Sequence, residues 1–167
     1  MDRQSFIRWL AVDGSAASMY RLTGFAEANA AGYITKIHRS NAEWKILLTP
    51  EQYYVLREDG TARRYSSTLN AEKRAGLYLC VACTLPLFPS KYKSDSGTGW
   101  PSFYDVLPGH VETKADFKLI VRQTEYRCTR CGGHQRHLCD DGPPPTGLRC
   151  CNDGVALKFI PDAEPKQ

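Results

Sequence analysis

Two CxxC pairs, Cys80-Val81-Ala82-Cys83 and Cys128-Thr129-Arg130-Cys131, are separated by 44 residues. A tight turn between two cysteines aims both sulfurs at one point, so two such turns can close a tetrahedral Zn²⁺ site with four thiolates. A site with four soft ligands has no open coordination position, so this metal would be structural, tying residues 80–83 to 128–131. Two redox pairs, or four buried thiols, are the alternatives. His134 and His137 also lie near Cys131, but four thiolates already complete the shell. Cys80, Cys83, Cys128 and Cys131 are therefore the candidate zinc ligands.

Seven cysteines less these four leaves Cys139, Cys150 and Cys151, all in the last 30 residues. The same segment carries His134-Gln135-Arg136-His137 followed by Asp140 and Asp141. Thiol, imidazole and carboxylate are the groups from which an activated cysteine nucleophile is assembled. If Leu148 to Ile160 is extended, alternation puts Arg149, Cys151 and Asp153 on one face and Cys150 on the other. Arg149 then stabilises a Cys151 thiolate and Asp153 opposes it. Cys150 becomes the buried thiol.

The elements that must hold these groups are mostly strands. Leu77–Val81, Phe117–Thr124 and Val155–Ile160 are short, rich in β-formers and bounded by turn residues, a pattern suited to antiparallel sheet. A helix is expected from Pro50 to Gly60, with Thr49 as cap, Pro50 at the first turn and Gln52 completing a capping box. Leu48 and Tyr53 are placed to form a hydrophobic staple. Gly142-Pro143-Pro144-Pro145-Thr146-Gly147 must be a rigid loop before the last strands. No long amphipathic helix alternates with the strands, which argues against a parallel α/β sheet.

Composition narrows the class. One domain of 167 residues with 42% hydrophobic content can bury a full core without staples. An odd number of cysteines excludes complete intramolecular pairing. The longest apolar run, Leu77–Cys83, falls far short of the roughly 20 residues that span a bilayer, so no membrane association is expected. The net charge of +4 comes from interspersed charges without a basic block, and no nucleic-acid partner is expected. Residues 1–40 lack cysteine and proline and form an extension that is either loosely packed or a transit peptide for mitochondrion or plastid, although Asp2, Asp13 and Glu27 fit the latter poorly. An intracellular, cytoplasmic location is otherwise expected, since no secretory signal opens the chain.

Taken together, Ser96-Gly97-Thr98-Gly99-Trp100-Pro101-Ser102-Phe103, the two CxxC pairs, His134-x-x-His137, Asp141-Gly142-Pro143-Pro144-Pro145-Thr146-Gly147-Leu148-Arg149 and Cys151 resemble the methionine sulfoxide reductase B family. Glu43-Trp44-Lys45 and Thr49-Pro50-Glu51-Gln52-Tyr53 belong to the same pattern. The likeness runs from about Asn41 to Pro161, giving an extension (1–40), a catalytic domain (41–161) and a short tail (162–167). It implies a mainly β fold of two antiparallel sheets with small peripheral helices and a structural zinc. The implied activity is reduction of the R epimer of methionine sulfoxide in proteins or free, a repair reaction in oxidative stress. It also implies Cys151 as the catalytic thiol, Trp100 as the wall receiving the substrate methyl group, and His134, His137, Asp141 and Arg149 around the sulfoxide. The expected partners are sulfoxide-bearing proteins and a thioredoxin-type reductant, with the enzyme acting as a monomer.

Three departures from the family pattern bear on the chemistry. Thr98 stands where many members carry a resolving cysteine, which leaves Cys139 as the candidate resolver or requires an external thiol. Asp153 replaces the usual Asn two residues after the nucleophile, and Cys150 replaces an aromatic residue. A competing class is a zinc-ribbon-like binding module, in which the knuckles support only a recognition surface. Such a module requires no thiol beyond the four ligands.

Overall fold

The computed structural model describes residues 33–116 and 123–163. The expected extension to residue 32, most of the expected strand Phe117–Thr124 and residues 164–167 lie outside them. Two short helices come first. Helix α1, Asn41–Leu47, is closed by a capping box in which Ser40 accepts from the Glu43 amide at 3.3 Å and Glu43 accepts from the Ser40 amide at 2.8 Å. This helix was not anticipated, although Ser40-x-x-Glu43 is its local signal. Helix α2, Pro50–Glu58, has the expected Thr49/Gln52 box and ends at Asp59 in the left-handed conformation. Its buried face, Tyr53, Val55 and Leu56, joins Trp44 and Leu48 in the core.

The body of the fold is two antiparallel sheets. Strands β1 (Gly76–Cys80), β2 (Pro86–Pro89) and β9 (Leu157–Pro161) form the smaller one, in the order β2-β1-β9. The larger runs β3-β4-β8-β7-β6-β5, from β3 (Lys93–Ser94), β4 (Ser102–Phe103), β5 (Val111–Asp116), β6 (Gln123–Cys128), β7 (His134–Cys139) and β8 (Arg149–Asn152). Aromatic rings join the two. Phe88 of β2 stacks on Phe103 of β4 with centroids 4.1 Å apart, and Tyr78 of β1 meets the same ring edge-on at 4.9 Å. Rings of this size bury large apolar area, so this contact anchors the core between the sheets.

Leu148–Ile160 is not one extended run, contrary to expectation. After β8 the chain makes a 3₁₀ turn at Gly154–Ala156 and crosses into the other sheet as β9. Gly154 lets Ser67 pack directly against this turn, since a Cβ there would stand 2.2 Å from the Ser67 hydroxyl. Among the described residues no helix is long and apolar enough to cross a membrane.

Candidate active site and metal centre

The four CxxC thiols converge. Cys80 closes β1 and Cys128 closes β6, and each is followed by a turn that returns the second cysteine of its pair. Across the pairs, Sγ of Cys80 lies 3.6 Å from that of Cys131, and Sγ of Cys83 lies 3.5 Å from that of Cys128. With Zn–S bonds of about 2.3 Å, the sulfurs of a tetrahedral thiolate site sit about 3.8 Å apart. The donor set and its spacing therefore fit a four-thiolate metal ion, and the four sulfurs could hold one. Gln135 Nε2 donates to the Cys80 sulfur at 3.6 Å, the kind of outer contact that orients a ligand.

A second convergence, Asp59, Glu125 and His134, has a different explanation. Arg127 donates to Asp59 at 2.5 Å and approaches Glu125 at 2.6 Å, so a guanidinium already supplies the cation.

Strand β8 is the floor of a cleft of about 350 Å³ lined by Thr61, Arg64, Thr98, Trp100, Arg136, His137, Cys139, Arg149 and Cys151. Antiparallel register sets the arrangement. His137 of β7 is opposite Cys151, and Cys139 is opposite Arg149, so all four side chains share one face. Cys150 points the other way into the core, where burial, followed by nearby Asp105, pushes its thiol up to about 12. The alternation anticipated for Arg149 to Cys151 is thus the observed one, but the expected contrast in burial is not, since Cys151 is as deeply buried as Cys150.

Ordinary alternation would send His134 and His137 to opposite faces. A bulge between β6 and β7 prevents this: Glu125 pairs with His137 and Arg127 with His134, which leaves Gln135 as the extra residue. The two imidazoles consequently meet edge to face, with centroids 5.8 Å apart. His134 is nevertheless buried behind the cleft, its Nδ1 held 2.5 Å from Glu125. Burial lowers its pKa, only partly offset by Glu125. Asp141 is also set back from the cleft. Its carboxylate takes two bonds from Arg149, at 2.7 and 2.8 Å, which lower its own pKa and fix the guanidinium beside Cys151.

Burial raises the Cys151 thiol above its ordinary range, against the opposing pull of Arg136 and then Arg149. Cys139 and Asp153 reinforce the rise. Arg149 therefore acts in the anticipated sense, but Arg136 is the stronger counterweight and was not identified from the sequence. Asp153 also sits differently from expectation. It is fully buried, and Oδ1 accepts from the Ala62 amide at 2.9 Å and from Arg136 Nη1 at 3.1 Å. Trp100 rests in the cleft with its indole N–H on the Ala62 carbonyl at 2.9 Å.

Thr98, at the position where the resemblance implies a resolving thiol, lines the same cleft and exchanges a 2.8 Å hydrogen bond with Ser96. Cys139 is diagonal to Cys151 across β7 and β8. Diagonal neighbours lie about 7–8 Å apart, beyond the roughly 4.4–6.8 Å between Cα atoms of a disulfide. None of the seven cysteines is in a disulfide.

A mainly antiparallel β fold, a four-thiol centre joining its sheets and a separate thiol set against imidazole and guanidinium are together suited to an oxidoreductase. Residues 48–161 match the SelR domain family. The chain is 48% identical over 132 residues to the peptide methionine sulfoxide reductase MsrB of Methanosarcina barkeri, covering 78% of this chain and 93% of that protein. It is 47% identical over 127 residues to the MsrB of Agrobacterium fabrum, covering 75% and 94%. To the chloroplastic peptide methionine sulfoxide reductase B1 of Arabidopsis thaliana it is 48% identical over 121 residues, covering 72% of this chain and 60% of that protein. The chain belongs to the SelR family, the methionine sulfoxide reductase B enzymes.

Proposed function

We propose that the protein reduces the R epimer of methionine sulfoxide, free or within proteins, with Cys151 as the nucleophile. The observation that carries this is the cleft itself, where Cys151 faces His137, flanked by Arg149 and an aromatic wall at Trp100. The Cys151 thiolate attacks the sulfoxide sulfur, and the S–O oxygen leaves that sulfur for Cys151 as it takes a proton. His137 is the group placed to donate that proton. Methionine departs and Cys151 becomes a sulfenic acid, two electrons more oxidised.

Trp100 receives the methyl group, which is apolar and fits an indole face. Arg149, braced by Asp141, steadies the thiolate. His134, bonded to Glu125, acts from behind as a support for the His137 ring. Recovery requires a thiol to condense with the sulfenic acid, releasing water and forming a mixed disulfide that a second thiol then opens. We assign this to an external dithiol of thioredoxin type, which the diagonal placement of Cys139 favours over internal transfer.

Cys80, Cys83, Cys128 and Cys131 would hold a structural Zn²⁺ that contributes to folding and takes no part in turnover. The test is separation of substrate and product after incubation with each epimer of a blocked methionine sulfoxide and dithiothreitol. Wild type should consume the R epimer alone, and Cys151→Ser neither. Full activity in Cys151→Ser would sink the nucleophile assignment, and no turnover by wild type would favour a binding module.

A further inference from the structure

Arg136 has an unusual backbone. Its register partners, Tyr126 and Asn152, are both buried, and a side chain on an ordinary strand would follow them into the core. At φ 146, a region L residues rarely adopt, Arg136 instead lines the cleft. Strain of this kind persists only where its surroundings over-determine it.

Those surroundings form a closed ring. The Arg136 guanidinium carbon lies 3.6 Å from the centroid of the Trp100 ring, a stacked cation–π contact. Its Nη1 donates to Asp153 Oδ1, which also accepts from the Ala62 amide. The Ala62 carbonyl in turn accepts from the Trp100 indole. Ring plane, guanidinium, carboxylate and the two backbone groups of Ala62 therefore hold each other in place. Asp153 is fully buried and its Oδ2 finds no protein hydrogen-bond partner, so its charge is matched chiefly by Arg136.

We propose that Arg136 is a positioning residue of the active site, locked by Asp153, which fixes the Trp100 ring and sets a cation beside Cys151. This inference rests on the reading of Cys151 as the nucleophile. Asp153→Asn leaves an amide oxygen to accept from Arg136 and the Trp100 stack to hold it, so only the negative charge is lost, whereas without Arg136 a buried carboxylate would stand near the thiol unmatched. The charged and titratable groups around Cys151 are Arg136, His137 and Cys139 on β7, Arg149 and Asp153 on its own segment, and Arg64 across the cleft. Tyr126 of β6 donates to its carbonyl. Only Arg136 and Asp153 are altered in the test.

The measurement is the pH profile of alkylation at Cys151, read on the mapped peptide, in wild type, Arg136→Met, Arg136→Lys, Asp153→Asn and the Arg136→Met/Asp153→Asn double variant. Loss of Arg136 should slow alkylation near neutral pH about fivefold in both backgrounds, whereas Asp153→Asn alone should accelerate it. Arg136→Lys should recover most of the rate, because the cation returns. The double variant keeps the test decisive where an unmatched Asp153 prevents Arg136→Met from folding. Superimposable profiles with and without Arg136, or shifts of the same sign for Arg136→Met and Asp153→Asn, would overturn the proposal. Because alkylation needs no sulfoxide, its outcome is separate from whether wild type reduces R-sulfoxide. A Cys151→Ser protein that still turned over would remove the reading on which the proposal rests.

Discussion

His137 and Cys151 stand opposite one another in the register between β7 and β8, on the face that lines the cleft. With Cys151 as the proposed nucleophile, an imidazole opposite it is placed to give a proton to an oxygen leaving toward that sulfur. His137→Asn should therefore lower kcat about a hundredfold while changing KM for R-sulfoxide by less than about threefold, the signature of a lost proton donor. A rise in KM with kcat intact would make His137 a binding group instead.

The Cys151 thiol lies above the ordinary value of 9.0 because burial outweighs the two guanidiniums. A raised thiol pKa means less thiolate at neutral pH, and the thiolate is the nucleophile. Alkylation of Cys151 in the free enzyme should keep increasing as pH passes 9. A plateau reached before pH 8 would show that the guanidiniums prevail over burial.

Cys139 shares the cleft face with Cys151 but faces Arg149, two residues along β8. Bridging the diagonal would require the strands to shift. Cys139→Ser should accordingly retain turnover with dithiothreitol within about twofold of wild type. After one turnover without reductant, mass spectrometry should find a sulfenic acid at Cys151; a Cys139–Cys151 disulfide would contradict this.

Thr98 lines the cleft from the loop that precedes Trp100. That loop is held by Tyr65, whose amide donates to the Gly99 carbonyl and whose hydroxyl donates to that of Gly97, and by Arg64 on the Thr98 carbonyl. Thr98→Cys should supply the missing internal thiol. A disulfide between the introduced thiol and Cys151 should then accumulate after a single turnover, and thioredoxin-driven turnover should rise severalfold. Absence of that disulfide would mean the loop holds position 98 too far from Cys151.

Removing a metal held by the four thiols should act on the fold before the chemistry. Structural zinc in small domains contributes on the order of 10 kcal/mol, comparable to the whole stability of a domain this size. Cys128→Ser or a strong chelator should lower the melting temperature by more than about 15 °C and reduce the zinc content, nominally one per chain, read by elemental analysis. Unchanged melting with the zinc gone would show that the four thiols pack adequately alone.

Much of the site is legible along the chain because its determinants are local. Two CxxC turns present paired sulfurs whatever surrounds them, and alternation over Arg149 to Cys151 decides which thiol points into the core and which toward the cleft. The Thr49/Gln52 cap of α2 is likewise a contact within one turn. Ser40 and Glu43 carry the same signal for α1, but the apolar run behind them is too short to announce a helix.

Other features exist only in three dimensions. The bulge that brings His134 and His137 to one face depends on how β6 pairs with β7, which no spacing within β7 specifies. Asp153 follows Cys151 by two residues, yet its charge is answered by Arg136 and its carboxylate is tied to Ala62, 91 positions away. Arg136 lies between two conspicuous histidines and reads as a solvated charge, because a linear pattern contains no φ angle. The sequence by itself determined which residues could bind metal and which thiol could react. Register, bulge and burial, each a product of long-range packing, decided which charges surround that thiol and how they are held.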